Sequence, residues 1–239
     1  MKPTVVLVHG AFAESASWNG VLDTLLARGY HAVAAANPLR GIAGDAAAVS
    51  DLVRSVTGPV LLVGHSYGGA VITNVDRDAG DIRGLVYVCG FAPDAGESAA
   101  DLSAKAPGGT LGETLSIVEL TGGDRDLSIS QDRFHQQFTA DSPADVAARM
   151  AVTQRPVTEI GLNGPAGPDP LWRDIPSWFV YGELDRNIPA GAHRFMAERA
   201  HGRAIVEVAG AAHALPVSRP EEVAQVILEA AHTCELVEA

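Results

Sequence analysis

Cysteine is nearly absent: Cys89 and Cys234 are the only two in 239 residues. Two cysteines cannot build a disulfide framework, so a core must hold the fold, and a reducing, cytoplasmic compartment is expected. Positive charge is also short. Seventeen Lys and Arg face 29 Asp and Glu, for a formal charge of −12, which argues against nucleic acid or an anionic membrane as partner. No apolar run approaches the ~18–20 residues that a bilayer span requires. The opening run, Val5-Val6-Leu7-Val8, is too short for the apolar region of a signal peptide. Aromatics make up only 5% of a chain that is 47% hydrophobic, so the core is mostly aliphatic and alanine. There is no internal repeat, no low-complexity tail, no metal-ligand spacing and no phosphate-cradling loop. What is present is length for one large domain and a regular alternation of patterns.

Thr4 to His9 is a short β-branched apolar run, as expected of a strand buried on both faces. Ser15 or Ser17 offers an N-cap to a helix through Trp18, Val21, Leu22, Leu25 and Leu26, closed by Gly29. A strand over 31–35 and a helix carrying Ala47, Val49, Leu52, Val53 and Val56 follow. Pro59 to Val63 reads as a third strand, and the helix after it is expected to reach about Ala79. Further strands are expected at 85–89, 178–181 and 204–208. Pro189 starts one helix, and Ser218-Arg219-Pro220-Glu221 reads as a capping box for the last. Strands alternating with helices imply an α/β fold: a doubly wound, mostly parallel sheet of about six strands.

The alternation breaks once. The core is expected over 1–93 and 176–239, with an insertion over about 94–175 belonging to the same single domain. Its best helical pattern is Pro143–Gln154. It leaves after the fourth strand and returns before the fifth, at the strand C-terminal edge where open α/β sheets bind ligands. It is therefore read as a helical lid. Phe12 beside the first strand, and His135, Phe138, Met150 and Trp172 in the insertion, are the candidate substrate contacts.

The third strand runs into Gly64-His65-Ser66-Tyr67-Gly68, followed by Gly69 and an apolar helix. Strand, sharp turn and helix form the setting in which a serine is presented as a nucleophile. Serine needs a base. Of eight histidines, His213 stands in a small-residue loop after the last strand, at the same sheet edge as Ser66. His193 and His201 read as solvated, and His65 points away from the serine's face. The base needs a carboxylate to fix its tautomer. After the fifth strand, Asp185 is favoured for its depth in the loop and shorter arm, with Glu183 as the alternative. The N–H groups of Tyr67 and of Ala11, after the turn at His9-Gly10, are the expected oxyanion donors. The order Ser66, Asp185, His213 is that of the α/β-hydrolase fold.

Four stretches carry a family resemblance: Leu7–Phe12, Gly64–Gly69, Val86–Ser98 and Gly210–His213. They resemble the small bacterial α/β-hydrolases related to plant methylesterases, hydroxynitrile lyases and pyrethroid-type carboxylesterases. The resemblance covers residues 4–98 and 176–230 and implies a serine esterase without cofactor or metal. The expected partner is a small or medium hydrophobic ester or a lactone, and the protein is expected to be a monomer or homodimer. Two alternatives stand beside this: cyanohydrin cleavage by the same triad, and a ligand sensor that retains it. The lyases of this family place a lysine where Ala214 stands and a threonine where Gly10 stands. Gly10 is accordingly expected to leave room for the alcohol portion of an ester.

Overall fold

The computed structural model describes residues 1–236. Strand β1 (Thr4–Val8) leads through a 3-10 turn, Ser15–Trp18, into helix α1 (Asn19–Ala27). Then come β2 (Ala32–Ala35), α2 (Ile42–Arg54), β3 (Pro59–His65), α3 (Tyr67–Thr73) and β4 (Asp81–Val88). The insertion holds α4 (Ala99–Ser103), β5 (Leu115–Glu119), β6 (Arg125–Ile129), α5 (Gln131–Phe138), α6 (Ala144–Thr153), β7 (Val157–Thr158) and α7 (Glu159–Asn163). The chain returns as β8 (Ser177–Gly182), α8 (Ala190–Arg199), β9 (Ala204–Val208), α9 (Leu215–Ser218) and α10 (Pro220–Leu236). The main sheet has six parallel strands in the order β2-β1-β3-β4-β8-β9.

Period-two burial explains why continuous apolar runs serve here. Val6, Val8, Val60, Leu62, Leu85, Tyr87 and Phe179 face one core, with Val49 and Val53 of α2 and Met196 of α8. Val5, Leu7, Leu61, Val63, Val86, Val88, Trp178 and Val180 face the other, with α1 and α10. Each face is closed by helices, so the middles of these strands are apolar and buried polar residues such as His65 and Ser177 fall at strand ends. Among the described residues, no helix is long and apolar enough to cross a membrane.

Local expectations fail where side chains compete with the backbone. The helix after β3 stops at Thr73, not near Ala79. The Thr73 hydroxyl donates to the Gly69 carbonyl at 2.9 Å, and the Asn74 amide donates to Ala70 at 2.8 Å. Both occupy helix carbonyls, and Asp76 then starts a separate 3-10 turn. The Ser218 capping box does not form. Ser218 is the last residue of α9, its hydroxyl reaches back 3.5 Å to the Ala214 carbonyl, and α10 begins directly on Pro220. At the first helical turn the capping pair is Glu14 with Ser17. The insertion is not purely helical: β5, β6 and β7 form a three-stranded antiparallel sheet.

Candidate active site

Strand β3 delivers Ser66 to the N-terminus of α3 with φ 54° and ψ −123°, a conformation strained for any residue with a Cβ. The turn closes because neighbours are missing. A Cβ on Gly64 would lie 2.5 Å from the Gly68 carbonyl oxygen, and one on Gly68 would lie 2.2 Å from that of Val8. The turn after β1 packs directly on this elbow. A Cβ on Gly10 would meet the Ser66 Cβ at 2.6 Å and the Tyr67 nitrogen at 3.1 Å. Gly10 therefore leaves no room for a substrate alcohol, contrary to the expectation from sequence; the elbow fills that space. His9 braces the turn. Its Nε2 accepts from the Asn37 N–H at 3.2 Å, so its Nδ1–H donates to the Gly10 carbonyl at 2.9 Å. Burial lowers the His9 pKa, which keeps that neutral arrangement. Tyr67 is anchored at its far end, donating to Asp45 Oδ2 at 2.8 Å.

His213 Nε2 lies 2.9 Å from Ser66 Oγ, and its Nδ1 lies 2.7 Å from Asp185 Oδ2. Ser66, Asp185 and His213 are all buried. Asp185 Oδ1 accepts from the backbone N–H groups of Asn187 at 2.8 Å and Ile188 at 2.9 Å. Burial alone would raise the Asp185 pKa. The charge of His213 and the hydrogen bonds from His193 and His213 outweigh it, holding the carboxyl below the ordinary range. Glu183 is exposed and accepts from the Gly210 N–H at 2.8 Å, away from His213.

The other histidines divide. His65 packs 5.0 Å from the His213 ring, and its Nε2–H donates to the His213 carbonyl at 3.0 Å. Burial, aided by repulsion from His213, pushes its pKa down to about 3. His201 is exposed. His193 is not solvated as its surroundings in the sequence suggest. It is 2% exposed and reaches Asp185 Oδ2 at 3.0 Å. A signal for this was available: Ala192, His193, Met196 and Ala197 form one buried stripe of α8 among charged neighbours.

A cavity of about 500 Å³ opens over Ser66. Ala11, Phe12, Phe91, Asn187 and Ile188 line it with Ser66. The rest is largely the small-residue segment from Ala99 to Gly112, with Leu115, Ile117, Leu127 and Leu162. Of five residues expected to touch substrate, Phe12 alone lines this cavity. Phe138 is fully buried, edge-on to Phe12 and His213, and so supports the site from behind. His135 turns to its own segment and donates its Nε2–H to the Ser142 carbonyl at 3.0 Å. Trp172 gives its indole N–H to the Pro93 carbonyl at 2.8 Å and stacks under Arg199. Met150 lines a separate cavity of about 360 Å³ on the other side of Phe12. Large side chains fill space here, and small ones leave it.

Among the described residues, Cys89, Asp185 and His193 bring three potential metal donors within 4.8 Å. They do not suit a metal. The Asp185 oxygens already serve four protein donors, and burial pushes the Cys89 thiol pKa far up, away from the thiolate a metal needs.

The profile of the alpha/beta hydrolase family matches residues 5–226. An esterase of Oryza sativa subsp. japonica, PIR7B, is 24% identical over 262 aligned residues, covering 98% of this chain and 97% of that protein. A pyrethroid hydrolase of Sphingobium wenxiniae is 26% identical over 244, covering 94% and 86%. The crystal structure of polyneuridine aldehyde esterase superposes with a TM-score of 0.80 at 16% identity, over 96% of this chain and 99% of that one. At that identity the structural likeness is one of fold.

Proposed function

This chain belongs to the alpha/beta hydrolase family, and from that premise we propose that it is a serine carboxylic-ester hydrolase acting through an acyl-enzyme on Ser66. The observation that carries the reading is the 2.9 Å approach of His213 Nε2 to Ser66 Oγ at the floor of the cavity. Asp185 is ionised and accepts the Nδ1–H of His213, which leaves the Nε2 lone pair free for the serine proton. Ser66 Oγ attacks the acyl carbon, and its proton passes to Nε2. The carbonyl oxygen becomes an oxyanion held by the N–H groups of Ala11 and Tyr67, at roughly 3 kcal/mol each. Collapse expels the alcohol, which takes the proton from His213. Water, activated by the same nitrogen, then clears the acyl group.

The cavity's size and small, apolar walls support a small or medium hydrophobic ester or lactone, with the insertion setting the choice. The names of the rice and Sphingobium relatives, an esterase and a pyrethroid hydrolase, point to the same bond type. Cyanohydrin cleavage must stabilise cyanide with a cation. Among the described residues the lining has no Lys or Arg, its one charged residue is Glu159, and Arg125 occupies that carboxylate. Ala214, after the base, is buried and uncharged. The test is to assay the protein with short nitrophenyl esters and with mandelonitrile, each against Ser66→Ala. Serine-dependent ester cleavage is expected. Serine-dependent cyanide release without ester cleavage would overturn the assignment.

A further inference from the structure

We infer that His193 is a second, positioning histidine of the catalytic acid, sharing Asp185 Oδ2 with His213. The inference rests on reading Ser66, His213 and Asp185 as the triad. His213 Nδ1 stands 2.7 Å and His193 Nε2 3.0 Å from the same carboxylate oxygen. The other oxygen is taken by two backbone N–H groups. An ionised carboxylate only accepts, so His193 carries its proton on Nε2. Four donors, two on each oxygen, fix the plane of the carboxylate, and with it the tilt of the His213 ring. A Tyr181 ring stacked on His193, with centroids 5.0 Å apart, holds the second imidazole in place.

Sharing has an electrostatic consequence. A donor on Oδ2 draws negative charge away from the face that His213 sees. Without it the carboxylate would stabilise a His213 imidazolium more strongly, and the base would fall idle at a higher pH. The surrounding groups leave this pairing in control. His65 is held neutral, Cys89 is a buried thiol whose pKa is raised, and the Tyr181 hydroxyl is also pushed up. Arg194 and Glu207 pair with one another at the edge of Tyr181. Burial lowers the His193 pKa against the pull of Asp185, which suits a neutral donor.

The experiment compares His193→Leu and His193→Gln with the parent in kcat and in the pH profile of kcat/KM for a nitrophenyl ester, with Ser66→Ala as blank. His193→Leu should lose about 10-fold in kcat, the usual scale for one hydrogen bond to a charged group, and its acid limb should move to higher pH. His193→Gln, which restores an N–H donor, should recover both. Nitrogen NMR of the histidine-labelled parent adds a test independent of folding: His193 should be protonated on Nε2 and His213 on Nδ1. A His193→Leu enzyme with unchanged kcat and limb overturns the inference. So does a loss that Gln does not repair with the limb unmoved, or an Nδ1–H tautomer at His193. Activity surviving in Ser66→Ala would instead overturn the triad reading itself.

Discussion

The parallel sheet and the insertion place their residues by opposite means. Ser66, Asp185 and His213 each stand beyond a strand of the main sheet, where backbones approach closely at Gly64, Gly68 and Gly182. The segment Ala99–Gly112 contributes by what it leaves empty: apart from Leu111 it lines the cavity with Ala, Ser, Gly and Pro, several of them exposed. On the proposed function, chemistry is placed where backbone packing is tight, and choice of substrate where packing is loose. Substitutions in the two regions should therefore differ in kind. Changes at the sheet edge should remove rate for every ester, whereas changes in the insertion should alter only which ester is preferred.

The largest effect expected is at Ser66. Ser66→Ala should lower kcat by as much as ~10⁶-fold on all esters, because triad members act as a unit, while thermal melting stays close to that of the parent. Asp185→Asn should follow at ~10⁴-fold through loss of tautomer control. Glu183→Gln should be mild, since Glu183 caps the Gly210 N–H away from the base. The reverse ranking in steady-state kinetics would move the acid to Glu183.

Third comes pH. His65, His9 and His193 have pKa values lowered by burial, so below about pH 6.5 the unfolded chain takes up protons that the folded one refuses. Stability is therefore full above that range and falls as pH drops toward 3. His65 alone should cost about 2 kcal/mol between pH 8 and pH 5. Urea titrations at the two values measure it; equal stability would mean that these rings are not buried and neutral. The smallest effect expected is in the insertion. Ala104→Phe, at an exposed position on the cavity wall, should cut kcat/KM for long acyl chains by about 10-fold relative to acetyl, while kcat on the acetyl ester holds. A uniform loss would dissolve the contrast between the regions.

The same contrast governs what could be read from sequence. Strands buried on both faces leave continuous runs such as Pro59–Val63, and Ser66 and Asp185 each follow such a run, while His213 follows the more exposed edge strand β9, so the sheet and the three residues that the structure brings together were legible as candidates. Cavity walls of Ala and Gly leave no periodic mark. Phe138 and Trp172 carry a stronger mark in the sequence, but their bulk makes them packing residues. The antiparallel strands escaped because Arg125-Asp126-Leu127-Ser128-Ile129 interleaves charge with apolar residues and β7 has two residues. His193 was hidden by the charges around it on α8, although its stripe with Met196 and Ala197 carried the signal.

On the proposed function, one strained serine on the sheet edge, Ser66, carries the reaction. Labelling with a fluorophosphonate followed by peptide mass spectrometry tests it most directly. One adduct is expected, on the peptide containing Ser66, absent in Ser66→Ala and suppressed in His213→Ala. An adduct on another residue, or ester turnover that continues with Ser66 fully blocked, would contradict it.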